Sequence, residues 1–124
     1  MKQVMISMGL FFCISAQSQV LPKNFNDLTK QVEPNLIEWR RHFHEFPELS
    51  NREFNTGKYI AEYLKSIGLE VKYPVAKTGV VAILRGGKPG PNIGLRADID
   101  ALPVLERAPI SFASKVKAEY NGQQ

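Results

Sequence analysis

The sequence contains one cysteine, Cys13, so no disulfide can form within the chain. It has no apolar run of the roughly 20 residues that a membrane-spanning helix requires. Eight Pro and nine Gly in 124 residues are too few for a collagen-like or low-complexity chain. An excess of one charge is also missing: 16 Lys and Arg against 12 Asp and Glu leave a formal charge of only +4. The basic residues are scattered, with only Arg40 and Arg41 adjacent, and no stretch interleaves them with aromatics. That pattern argues against a nucleic-acid partner and reads as solubility. What remains is ordinary: 44% hydrophobic and 23% charged residues, as expected of one soluble globular domain.

The first residues read as a secretory signal. Lys2 supplies a short positive start, residues 4–14 an apolar stretch, and Ala16-Gln17-Ser18 small residues for cleavage before Gln19. Phe12 is too large to precede a lipidated Cys13. The expected division is therefore a signal peptide over 1–18 and a domain over 19–124, with a secreted or periplasmic location.

Two helices are expected next. Leu28, Val32, Leu36, Trp39 and Phe43 recur every three or four residues, with Pro34 either opening a second helix or kinking one. Pro47 ends that segment. Ser50-Asn51-Arg52-Glu53 has the form of a capping box. Phe54, Ile60, Ala61, Leu64 and Ile67 form the apolar stripe behind it, and Gly68 then Leu69 suit a left-handed C-terminal cap.

Strands follow. Leu69, Val71 and Tyr73 alternate with charged residues and predict a half-buried strand. Val80-Val81-Ala82-Ile83-Leu84 is continuously apolar and predicts a strand buried on both faces. Residues 86–92 are a turn by composition. Residues 93–97 predict a third strand. The fold class expected is α/β, a layered helix-sheet-helix arrangement with two helices and then three strands; two helices barely cover such a sheet, so something is missing or a partner covers the rest.

The stretch Arg96-Ala97-Asp98-Ile99-Asp100-Ala101-Leu102-Pro103 closes the third strand with two carboxylates. At strand spacing Arg96, Asp98 and Asp100 project to one side. Acidic groups at the carboxyl end of a strand lie where α/β enzymes keep their sites. The alternative is structural: Asp100 caps a turn beginning at Ala101, and Arg96 neutralises Asp98.

Three segments together resemble a known family. Arg40-Arg41-His42-Phe43-His44-Glu45-Phe46-Pro47-Glu48-Leu49 looks like its R-R-x-x-H-x-x-P-E-L signature. Thr78-Gly79-Val80-Val81 looks like its T-G-V-V strand, and residues 96–103 like its R-A-D-x-D-A-L-P segment. The family is the amidohydrolases that include hippurate hydrolase, auxin-conjugate hydrolases and N-acetyldiaminopimelate deacetylase, within the aminoacylase and carboxypeptidase-type dinuclear metallopeptidases.

The resemblance implies a catalytic domain with two divalent ions (zinc, manganese or cobalt) and a smaller lid or dimerisation domain. It implies hydrolysis of an amide bond in N-acyl amino acids or small peptides, and a homodimer formed through the lid. Family members carry a metal-binding H-A-C-G-H-D motif that would follow Tyr120-Asn121-Gly122. The sequence ends at Gln124, so the expectation is an N-terminal fragment, inactive by itself, with no metal ligand of its own.

Within it, Asp98 and Asp100 are expected to orient a ligand His, and Arg96, His44 and Glu48 to serve structure. His44 is expected to pack and hydrogen-bond near Glu48. His42 and His44, two apart on a helix, cannot share one ion. The competing reading is a standalone exported α/β module that binds a partner without catalysis.

Overall fold

The computed structural model describes residues 22–123. The signal-peptide features at Lys2, residues 4–14 and Ala16-Gln17-Ser18 lie outside the described residues. The chain divides into two units, one ending at Val32 and the other beginning at Glu33.

The described part of the first unit is the start of helix α1 (Phe25–Glu45). The Phe25 amide donates to the Pro22 carbonyl at 2.9 Å and the Leu28 amide to the Asn24 carbonyl at 3.0 Å. Asp27 lies in the first turn, where a negative charge complements the helix dipole. Leu28 and Val32 are about half exposed.

The second unit carries the rest of α1 and everything after it. Pro34 lies inside α1, which continues past it as a single helix to Glu45. Helix α2 (Phe54–Ser66) follows the connection that contains Pro47. Strands β1 (Glu70–Val75) and β2 (Gly79–Ile83) then form a two-stranded antiparallel sheet, with Glu70 opposite Ile83 and Lys72 opposite Val81. The ladder is irregular between Lys72 and Val75, beside the cis Tyr73–Pro74 peptide.

Helix α2 ends as its sequence predicts. Gly68 adopts φ +86°, the Leu69 amide donates to the Leu64 carbonyl at 3.1 Å, and the Gly68 amide to Lys65 at 2.9 Å. These two bonds satisfy carbonyls that a helix end otherwise leaves open. The start differs from the expected capping box. Glu53, not Ser50, is the N-cap residue, and its own side chain does not cap the helix. Its Oε1 instead accepts from the Asn51 amide at 2.9 Å.

The core lies where α2 meets the hairpin. Ala61, Thr56, Gly57, Glu53 and Thr78 are buried. At Gly57 the helix backbone runs against the Thr78 carbonyl and the Tyr73 ring, leaving no room for a Cβ. The Tyr73 hydroxyl donates to the Phe54 carbonyl at 2.8 Å. Trp39 and Phe43 of α1 reach α2 edge-on, with ring centroids 4.7 Å from Tyr63 and 5.4 Å from Tyr59.

Two strand expectations are corrected. Strand β1 alternates between half-buried and exposed residues as expected. In β2, however, Val81 is 44% exposed and Ala82 is exposed, so this strand is not buried on both faces. Among the described residues α2 is the main element that packs on the sheet. The third strand, residues 93–97, does not form: Ile93 is 85% and Leu95 97% exposed. A strand exists through its ladder, and no neighbouring strand among the described residues supplies one. The two helices and the α/β class stand, as part of a domain.

Candidate functional site

The acidic stretch is held at its end. The Ala101 amide donates to the Glu48 carbonyl at 2.8 Å, and Ala101 bridges Leu49 in the parallel sense. The aspartates therefore sit immediately before a fixed point on the α1–α2 connection. Arg96 Nη2 donates to Asp98 Oδ1 at 2.8 Å, with the two side chains 88% and 72% exposed. This is the contact that the structural alternative anticipated, and the i, i+2 spacing places both side chains on one side. Asp100 is exposed and makes no hydrogen bond or ion pair among the described residues, so it caps no turn at Ala101.

Glu48 joins two functions. Its carbonyl receives Ala101, while its carboxylate caps α2. Oε2 accepts from the Thr56 amide at 2.7 Å, and Oε1 from the Asn55 side chain at 2.8 Å and the Asn55 amide at 3.2 Å. Partial burial pushes the Glu48 carboxyl up, but the donors from Thr56 and Asn55 outweigh it and hold it below the ordinary value. Glu48 is thus the helix cap that the sequence assigned to Ser50 and Glu53. A carboxylate five residues ahead of the N-cap matches no short capping motif, so its signal was invisible without the folded connection.

His44 hydrogen-bonds and packs, and its partners are Glu106 and Phe112, which the sequence did not single out. Its Nε2 lies 2.5 Å from Glu106 Oε2, and its ring meets Phe112 edge-on at 5.5 Å. Arg41 adds a cation over the same Phe112 ring, 5.0 Å from its centroid. Glu106 also accepts from the Ala108 amide at 2.8 Å, and the Ala108 amide and His44 lower its carboxyl from the ordinary value. His42 instead stacks on Tyr59, with centroids 4.6 Å apart. The two histidines therefore serve separate neighbourhoods. Sequence reasoning missed Glu106 and Phe112 because they lie where the periodic pattern fades.

A further contact missed in the sequence lies at Arg52. Its guanidinium donates to the Glu119 carbonyl and sits over the Tyr120 ring, 5.0 Å from the centroid.

Among the described residues, no three His, Cys, Asp or Glu side chains come together in a way that could hold a metal ion. Asp98 is turned to Arg96, and His44 and Glu48 are engaged by Glu106 and by α2.

No family model matches the chain. It is 50% identical over 93 residues to Thermostable carboxypeptidase 1 of Saccharolobus solfataricus, covering 74% of this chain and 23% of that protein. Over 96 residues it is 47% identical to the N-acetyl-L-cysteine deacetylase of Bacillus subtilis, covering 77% and 22%. Over 89 residues it is 46% identical to an N-acyl-L-amino acid amidohydrolase of Geobacillus stearothermophilus, covering 71% and 24%. Among solved structures it is similar to the YxeP protein of Bacillus subtilis, a dinuclear metal-binding peptidase of the M20 family. The TM-score is 0.65 at 46% identity, over 70% of this chain and 25% of that one. The chain spans about a quarter of the length of these relatives. Its homologues are named as amidohydrolases, carboxypeptidases and N-acetylcysteine deacetylases, matched over their N-terminal part.

Proposed function

We propose that this homologue of the N-terminal part of M20 amidohydrolases contributes to metal-dependent hydrolysis of an amide bond in N-acyl amino acids or small peptides. The observation that carries the reading is the 46% identity at a TM-score of 0.65 to a dinuclear metal-binding peptidase. Relatives named as a deacetylase and an N-acyl-L-amino acid amidohydrolase point to the same bond.

In this reading divalent ions supply a polarised carbonyl and a water acidic enough to attack it at neutral pH. This reading takes the direct ligands from the His-Ala-Cys-Gly-His-Asp motif expected after Gln124. Asp98 and Asp100 then act on those ligands: a carboxylate that accepts the free ring N–H of a ligand His fixes its tautomer and raises its basicity. The tether from Ala101 to Glu48 sets where the acidic pair lies.

The Lys2, 4–14 and Ala16-Gln17-Ser18 pattern supports export of the protein from the cytoplasm. N-terminal sequencing of the exported product tests this; a start at Gln19 is expected, and a retained Met1 refutes it.

For the activity, the coding sequence is read past Gln124 and its full product purified. A His-Ala-Cys-Gly-His-Asp motif within a few codons is expected, as is hydrolysis of N-acetyl amino acids with zinc, cobalt or manganese. A stop codon directly after Gln124 overturns the proposal and favours a non-catalytic binding module.

A further inference from the structure

The residues 101–123 contain neither helix nor strand, yet they are not loose on the surface. Three residues spaced four apart, His44, Glu48 and Arg52, each take hold of that segment at a different place. Glu48 offers its carbonyl to the Ala101 amide, 2.8 Å away. His44 reaches Glu106, and the Phe112 ring packs on the same imidazole. Arg52 takes the Glu119 carbonyl and the Tyr120 ring together. From the end of α1 to the start of α2, one short connection thus grips the segment at its beginning, its middle and its end.

We infer that His44 and Arg52 are positioning residues, which strap the middle and the end of residues 101–123 to the α1–α2 connection and, together with the Glu48 carbonyl at Ala101, fix both ends of that segment. One end is the backbone directly after Asp100. The other is the tight turn at Tyr120, where the Tyr120 amide donates to the Gln123 carbonyl at 2.8 Å and the Gln123 amide returns to Tyr120 at 3.0 Å. Neither grip needs a secondary-structure ladder. A hydrogen bond between an imidazole and a carboxylate is directional. A guanidinium uses its edge for a carbonyl and its flat face for an aromatic ring at once, whereas an ammonium has no plane to stack. That the strap serves catalysis rests on the hydrolytic reading above; that it exists does not.

Amide-resolved hydrogen exchange on the 124-residue chain tests the strap without any assay of activity. Arg52→Met is expected to speed exchange at Tyr120 and Gln123 about tenfold while α2 stays protected, since a single charged hydrogen bond and a stacked ring are lost. Arg52→Lys restores less than half of the protection. The Ala108 amide, which donates to Glu106, reports the middle grip. His44→Ala and Glu106→Ala are expected to speed its exchange, and the double variant no more than Glu106→Ala alone. Unchanged exchange at Tyr120 and Gln123 in Arg52→Met, or additive effects of the His44 and Glu106 substitutions, overturns the inference. If His44→Ala also exposes α2, the exchange rates of Arg52→Met and Arg52→Lys decide by themselves. Failure of the full-length product to hydrolyse amides leaves these exchange rates untouched, so the two proposals fail separately.

Discussion

Glu48 Oε2 accepts a 2.7 Å hydrogen bond from the Thr56 amide, so the carboxylate of one loop residue closes the open end of the helix that follows it. The same residue's carbonyl receives Ala101. Glu48→Ala should destabilise the fold by about 1–2 kcal/mol, the usual cost of a lost helix cap. Urea unfolding at neutral pH measures it, and an unchanged midpoint contradicts the capping role.

The same contact has a pH signature. Burial raises the Glu48 carboxyl, the donors of Thr56 and Asn55 lower it further, and the net shift is downward. A carboxyl lowered in the folded state stabilises above its unfolded pKa, and that stability is lost as pH falls through the folded value. The wild type should therefore lose more stability than Glu48→Gln on acidification below about pH 4, where unperturbed Glu carboxyls titrate. Parallel pH–stability curves for the two proteins count against this account.

Gly57 and Gly68 fail on substitution for opposite reasons. A Cβ on Gly57 meets the Thr78 carbonyl and lies 2.9 Å from Tyr73 Cε2, so Gly57→Ala must push α2 off the hairpin. Overpacking of this kind costs about 1–3 kcal/mol. The thermal midpoint should fall, and a midpoint equal to wild type shows that the hairpin yields without strain.

At Gly68 space is open but φ is +86°. Gly68→Ala should cost about 1–2 kcal/mol through the left-handed backbone alone. Gly68→Asn should cost less, because Asn tolerates that region. Equal losses for the two variants would point to a different cause.

The Arg96–Asp98 pair is almost fully in water. Exposed pairs contribute about 0–1 kcal/mol, so Asp98→Asn should leave the thermal midpoint of this chain unchanged. In the full-length product the same substitution should lower metal affinity or turnover about 10–100-fold, the usual effect of removing a ligand's supporting carboxylate. Wild-type turnover in both Asp98→Asn and Asp100→Asn removes the aspartates from the site.

Much of the local structure was legible because its causes are local. The stripe from Ile60 to Leu64, the Gly68 cap and the alternation of Val71 and Tyr73 each follow from backbone geometry within a few residues. The acidic stretch at Asp98 and Asp100 was legible as a motif. Its third strand was not, since the pattern of Ile93 and Leu95 states a preference for pairing and cannot supply the pair.

By itself the sequence determined the two helices, the first two strands, the cap at Gly68 and the likeness to N-terminal segments of amidohydrolases. Only the tertiary structure decided that Glu48 caps α2, that His44 meets Glu106 and that Arg52 meets Tyr120. Periodicity and capping are short-range properties that a one-dimensional pattern records. Contacts 62 or 67 residues apart depend on where the chain returns, which spacing does not encode.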